Sequence, residues 1–239
     1  MSKMVGLARP LKIEWMNKTV DLILERMAIE SIKAELDDYL SFEVDSPTSL
    51  RKTRESLMNV WVIPSECSAT IRELALSLYP TPPSDKLPLH WCMLIIAYPI
   101  FADVCSLIGK IAVMEESFST AWIRKKLYES WGERTTLEVP IKNILRTLIA
   151  FGALEKVKTG VYKTKTRSIK NEQTICLILQ TLLALERQAY YEIPKLSHIP
   201  LFFPFEFSVS VEWLHHSPDF TLENFGGKTV LSAAKTPFC

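Results

Sequence analysis

Apolar residues recur every three or four positions along much of the chain, the period of a helix buried on one side. Over residues 17–39, Val20, Leu22, Ile23, Leu24 and Met27 come first, then Ile29, Ile32, Leu36 and Leu40, which predicts two short helices. The run DSPTSLRKTRESLMNVW predicts a third. Ser46 or Asp45 can cap it, Pro47 suits its first position, and Leu50, Leu57, Met58 and Trp61 supply its buried face. Pro64 is expected to end it, and residues 66–79 read as a further helix. The stretch YPTPPSDKLP, at 79–88, reads as a linker.

Two longer apolar runs follow. Residues 89–114 could pass for a membrane span, but Pro99 interrupts them and Asp103 and Lys110 lie inside. No uninterrupted apolar run of about 20 residues survives. The expectation is two buried helices meeting near Pro99, since a helix tends to end before a proline. Residues 174–191 carry Gln180, Glu186 and Arg187 within an apolar pattern and predict one long core or interface helix.

Between these runs the pattern changes. Residues 101–114 form a helix; Ser119 caps the next, with Phe118 stapling onto Ile123. Ile123, Leu127 and Trp131 face inward, Arg124, Lys125 and Lys126 outward, and Gly132 stops the helix. A third helix runs to about Phe151. Its start combines a capping box at Thr135-Thr136-Leu137-Glu138 with Pro140, which belongs near the first helical position. Ile141, Ile144, Leu145, Leu148 and Ile149 make its buried stripe; Lys142, Asn143 and Arg146 gather on the other face. Gly152 ends it. Strands at 154–157 and 161–165 follow, joined by Lys158-Thr159-Gly160 with glycine in the last, left-handed position. Tyr162 on this hairpin is expected to pack against the third helix. Further on, 205–208 predicts a strand, 209–215 a short helix, and 220–225 with 228–231 a hairpin turned by Gly226-Gly227.

With 48% hydrophobic and 23% charged residues, the 239-residue chain has the composition of a folded globular protein. The expected class is mainly α with small β hairpins. The expected units are an N-terminal helical unit at 1–79, a linker at 80–88, a central unit at 89–170 and a C-terminal α+β cap at 171–239. Cys67, Cys92, Cys105, Cys176 and Cys239 form no CxxC pair, and the first residues lack an apolar signal core, so a reduced, cytoplasmic protein is expected.

Charge singles out the centre. The net charge is +1, but residues 142–170 hold Lys142, Arg146, Lys156, Lys158, Lys163, Lys165, Arg167 and Lys170 against Glu155 alone. The rest of the chain is therefore net negative. Local concentration of one sign matters more to an anionic partner than the overall total.

The order helix, helix, turn, helix, hairpin over 101–170 resembles a winged helix-turn-helix domain, a superfamily with no strict sequence motif. The resemblance implies that the third helix enters the DNA major groove and the hairpin lies along the backbone or minor groove. The whole arrangement is also similar to the small DNA-binding component of bacterial BREX phage-defence systems, with no shared motif behind the similarity. That implies an accessory subunit of a DNA-acting system; a transcriptional regulator fits as well.

Arginine can pair with guanine and asparagine with adenine, so Arg146 and Asn143 are the base-facing candidates. Lys142, Lys156, Lys158, Lys163 and Lys165 are candidate phosphate contacts, with Arg124 and Lys125 on the preceding helix. The plainer reading is the charged face of an amphipathic helix beside a hairpin edge guarded by lysines. Arg51, Lys52 and Arg54 pose the same choice in the N-terminal unit, where Asp37, Asp38, Glu43 and Asp45 lie close in sequence. The seven glycines make no phosphate loop, and the four histidines form no second pair at zinc-ligand spacing beside His90 and Cys92. A non-catalytic double-stranded DNA binder is expected, with no cofactor, metal, small-molecule substrate or membrane. The alternative is a winged-helix module for protein assembly, docking through the apolar helices.

Overall fold

A computed structural model describes residues 6–63, 69–80, 86–133, 135–185 and 190–234. The chain is mainly helical with small sheets, as the periodicity predicts. Helices α1 (Ile13–Leu24) and α2 (Ile29–Ser41) are the expected short pair. Helix α3 (Pro47–Leu57) starts on Pro47, with Ser46 Oγ accepting from the Ser49 backbone N–H, and runs on into a π-turn at Met58–Val62. The role expected of Pro64 lies outside the described residues.

Helix α4 spans Ala69–Leu78 and α5 Lys86–Ala97. The expected linker is therefore too long: Leu87 and Pro88 are buried inside the first turn of α5, where the missing proline N–H costs nothing. Every residue from Leu87 to Ile95 is buried, so α5 is apolar all round and sits at the centre of the molecule. Helix α6 (Pro99–Ala112) meets it at 119°. Among the described residues no single helix is long and apolar enough to cross a membrane.

Next come β1 (Phe118–Ser119), α7 (Thr120–Trp131), a 3-10 turn at Thr135–Leu137, α8 (Glu138–Ala150), β2 (Leu154–Lys158) and β3 (Val161–Thr164). Then β4 (Arg167–Ser168) leads into α9 (Glu172–Leu185), which packs on α5 and α4. Helix α9 stops short of the expected end: Tyr191 belongs to β5 (Tyr191–Glu192). After 3-10 turns at Ile193–Ser197 and Pro200–Phe202 come β6 (Phe205–Glu206), α10 (Val211–His216), β7 (Phe220–Phe225) and β8 (Lys228–Ala233). Strand β6 pairs in parallel with β4, and β8 lies between β5 and β7. Ser210 caps α10, which is why that helix starts two residues later than its apolar pattern suggests.

One continuous cluster of buried apolar side chains runs from Leu7 to Leu231. At its centre Trp91 meets Phe101, Phe203 and Phe205 edge to face, at 5.3–5.5 Å between ring centres, and its indole N–H donates to Leu201 O at 3.1 Å. The C-terminal segment is thus wrapped onto the same core as the central helices.

Candidate nucleic-acid interface

The candidate surface is built on α7, α8 and the β2–β3 hairpin. Ser119 Oγ accepts from the Trp122 backbone N–H at 3.1 Å, the cap expected for α7. Helix α8 begins differently from the expected box. Residues Thr135–Leu137 wind as a 3-10 turn, Glu138 opens the helix, and no side chain caps it. Its C-terminus is closed in detail. Gly152 has φ +67°, its N–H donates to Ile149 O, and Ala153 N–H donates to Leu148 O. Those two bonds satisfy carbonyls that the last turn would leave open. Arg167 adds a third, donating from Nη2 to Phe151 O at 3.0 Å.

The hairpin turns through Thr159-Gly160, with Gly160 at φ +73° and a register shift between Lys156 and Lys158. Strand β1, unforeseen because two residues show no period, pairs with β3 on the side away from β2. Thr120 N–H donates to Gly160 O at 2.9 Å, so the hairpin tip is tied to the start of α7. Tyr162, expected against α8, has its ring 6.0 Å from that of Phe118 on β1.

The polar face of α8 is narrower than its sequence suggests. Val139, Lys142, Arg146 and Ala150 are exposed, one row at three- and four-residue spacing. Asn143 is not among them, and this corrects its reading as a base-facing residue. It is buried, and its Nδ2 donates to Leu7 O at 3.0 Å. Thr147, one turn on, is also buried; its hydroxyl accepts from Leu11 N–H at 2.9 Å and donates to Asn143 O at 2.9 Å. The arm at residues 6–12 therefore lies along this flank, with Leu7 and Leu11 fully buried beneath it. Only that long-range contact marks the arm; nothing local in its sequence does.

The cations fall into two groups. Lys125, Lys142, Arg146, Lys156 and Lys158 are exposed and have no carboxylate within ion-pair distance among the described residues. Lys163 and Lys165 share Glu155, at 3.8 and 3.2 Å, and Arg124 reaches Glu138 at 3.4 Å. Cross-strand pairing sets Glu155 opposite Lys163 and Lys156 opposite Tyr162, so the hairpin lysines divide between its two faces. All these pairs are exposed and worth little to stability.

Two of the three basic residues singled out in the N-terminal unit have acid partners. Arg54 pairs with Asp37, and Arg51 with Glu55 at 3.1 Å. Among the described residues no group of His, Cys, Asp and Glu is placed to hold a metal. His90 is fully buried in hydrogen bonds, and Cys92, Cys105 and Cys176 are buried, with burial pushing each thiol well above its ordinary pKa. No protein-family model, curated protein or solved structure matches the chain.

Proposed function

We propose that this protein binds double-stranded DNA without catalysis, using residues 101–170 as a winged helix-turn-helix with α8 as the groove-facing helix and β2–β3 as the wing. The observation that carries the reading is the run of exposed cations without acid partners among the described residues: Lys142 and Arg146 on α8, Lys156 and Lys158 on the hairpin, Lys125 on α7. A solvated structural face normally mixes both signs. The three-stranded sheet also supports it, since β1 and the Thr120–Gly160 bond hold the hairpin beside the helices rather than leaving it loose. In the cell the role would be an accessory subunit of a DNA-acting system, with phage defence as one setting, or a transcriptional regulator.

The test is a titration with duplex DNA at several salt concentrations. Binding should weaken steeply with salt, with a log–log slope of about −0.9 per phosphate neutralised. Arg146→Glu should weaken it at least about tenfold while leaving the melting temperature unchanged. No shift of duplex DNA at low salt would sink the proposal and leave protein assembly. Val139 and Val157, both more than half exposed beside the cations, are the observation that favours that second reading.

Glu155 offers an independent check. It is the acid that holds Lys163 and Lys165. Glu155→Gln removes a repulsive charge and releases two lysines, so affinity should rise by about threefold at low salt, an effect of the size of an exposed ion pair. An unchanged affinity would place the wing away from DNA.

A further inference from the structure

We infer that the site takes double-stranded DNA of any sequence, holding its backbone without reading its bases; this rests on the DNA-binding reading above. Base reading needs donors and acceptors placed in the groove, and phosphate contact needs only charge. Among the candidate residues, Asn143 is the one neutral side chain that could pair with a base edge, and its amide is committed to Leu7 O inside the protein.

The arm that takes it cannot lift cheaply. Leu7 and Leu11 are wholly buried, and Gly6, at φ +105°, sits so close that a Cβ there would stand 2.5 Å from the Pro140 ring. Exposed on α8 are then two cations, Lys142 and Arg146, with Val139 and Ala150, while the part-exposed carboxylate of Glu138 is held by Arg124 at 3.4 Å. Lysine is a compact point charge whose three donors are not held in a rigid fork, so it fits a phosphate as readily as a guanine edge. Arg146 is the single fork on α8; Arg124, on α7, is taken up by its pair with Glu138. A bidentate contact to one guanine separates right from wrong base by about 5- to 150-fold at one position. With no second reader beside it, Arg146 is assigned to a phosphate, which takes the same fork in any sequence.

The experiment is a fluorescence-anisotropy titration of the full chain against duplexes of about 20 base pairs, AT-only, GC-only and mixed, at one low salt concentration. Affinities should agree within about threefold and fall in parallel as salt is added. One duplex bound more than about tenfold tighter than the rest overturns the inference and leaves DNA binding standing. No binding to any duplex overturns both. Asn143→Ala separates the roles of that residue. It should lower the melting temperature by leaving Leu7 O unpaired, and leave the relative affinities of the three duplexes unchanged. A variant that melts like the parent chain but changes their ranking would make Asn143 a reader after all.

Discussion

Gly109→Ala is expected to destabilise the protein by about 3 kcal/mol or more, measured by denaturant unfolding. Helix propensity alone gives the opposite sign, because alanine is favoured over glycine inside a helix by about 1 kcal/mol. Close packing reverses it. A Cβ on Gly109 would stand 2.1 Å from Pro200 O, 2.6 Å from its Cα and 2.7 Å from its carbonyl carbon. Each of these is a backbone atom, so no side chain can swing aside. The 3-10 turn at Pro200–Phe202 is itself held, with Phe202 N–H on Ile199 O and Trp91 donating to Leu201 O. Moving the turn away from α6 would pull Phe203 and Phe205 from Trp91. A variant as stable as the parent chain would mean that the Pro200 turn can shift away from α6 without cost.

The same glycine shows what the sequence could not tell. Gly109 interrupts a good helical pattern for no local reason; the reason lies across the core at Pro200. The elements themselves were largely legible because each depends on local chemistry. Ser46, Ser119 and the Gly226-Gly227 turn act within four residues of where they stand. Apart from the starts of α8 and α10, what failed was non-local. Two-residue strands such as β1 and β4 exist only through their partners β3 and β6. In the candidate site, Lys142 and Arg146 were placed correctly on the exposed side of α8 by helical spacing. Asn143 lies only about 60° round the helix from Arg146, at roughly 100° per residue. Spacing therefore assigns both to one face, and only an arm 136 residues away in sequence separates them.

A second large effect is expected with pH, and it comes from His90. This side chain is wholly buried among α1, α5 and the π-turn. Trp61 Nε1–H donates to its Nδ1 at 3.1 Å, so the ring proton sits on Nε2, which donates to Asn17 Oδ1 at 2.9 Å. Tyr79 OH donates to the same oxygen at 3.0 Å. The neutral ring is fully satisfied, whereas a protonated one would set two donors against each other at Trp61. Burial first, and the nearby Lys86 charge second, push the His90 pKa down to about 3. An unfolded chain has it near 6.5. Above pH of about 6.5 the ring is neutral in both states and contributes nothing to pH dependence. Below that, the unfolded chain binds a proton that the folded one refuses, so stability falls as pH falls, at about 1.4 kcal/mol per unit, until the folded pKa is reached. By pH 4 the loss is about 3 kcal/mol, a large part of a typical total of about 5–15. Urea melts of the parent chain and of His90→Gln, from pH 7 to pH 4, isolate this effect from that of the carboxylates. Glutamine can accept from Trp61 and donate to Asn17 without titrating, so the parent should lose stability more steeply by one proton across that range. Parallel curves for the two proteins would show that His90 protonates inside the fold without penalty, and that the Trp61–His90–Asn17 chain of hydrogen bonds does not fix its charge.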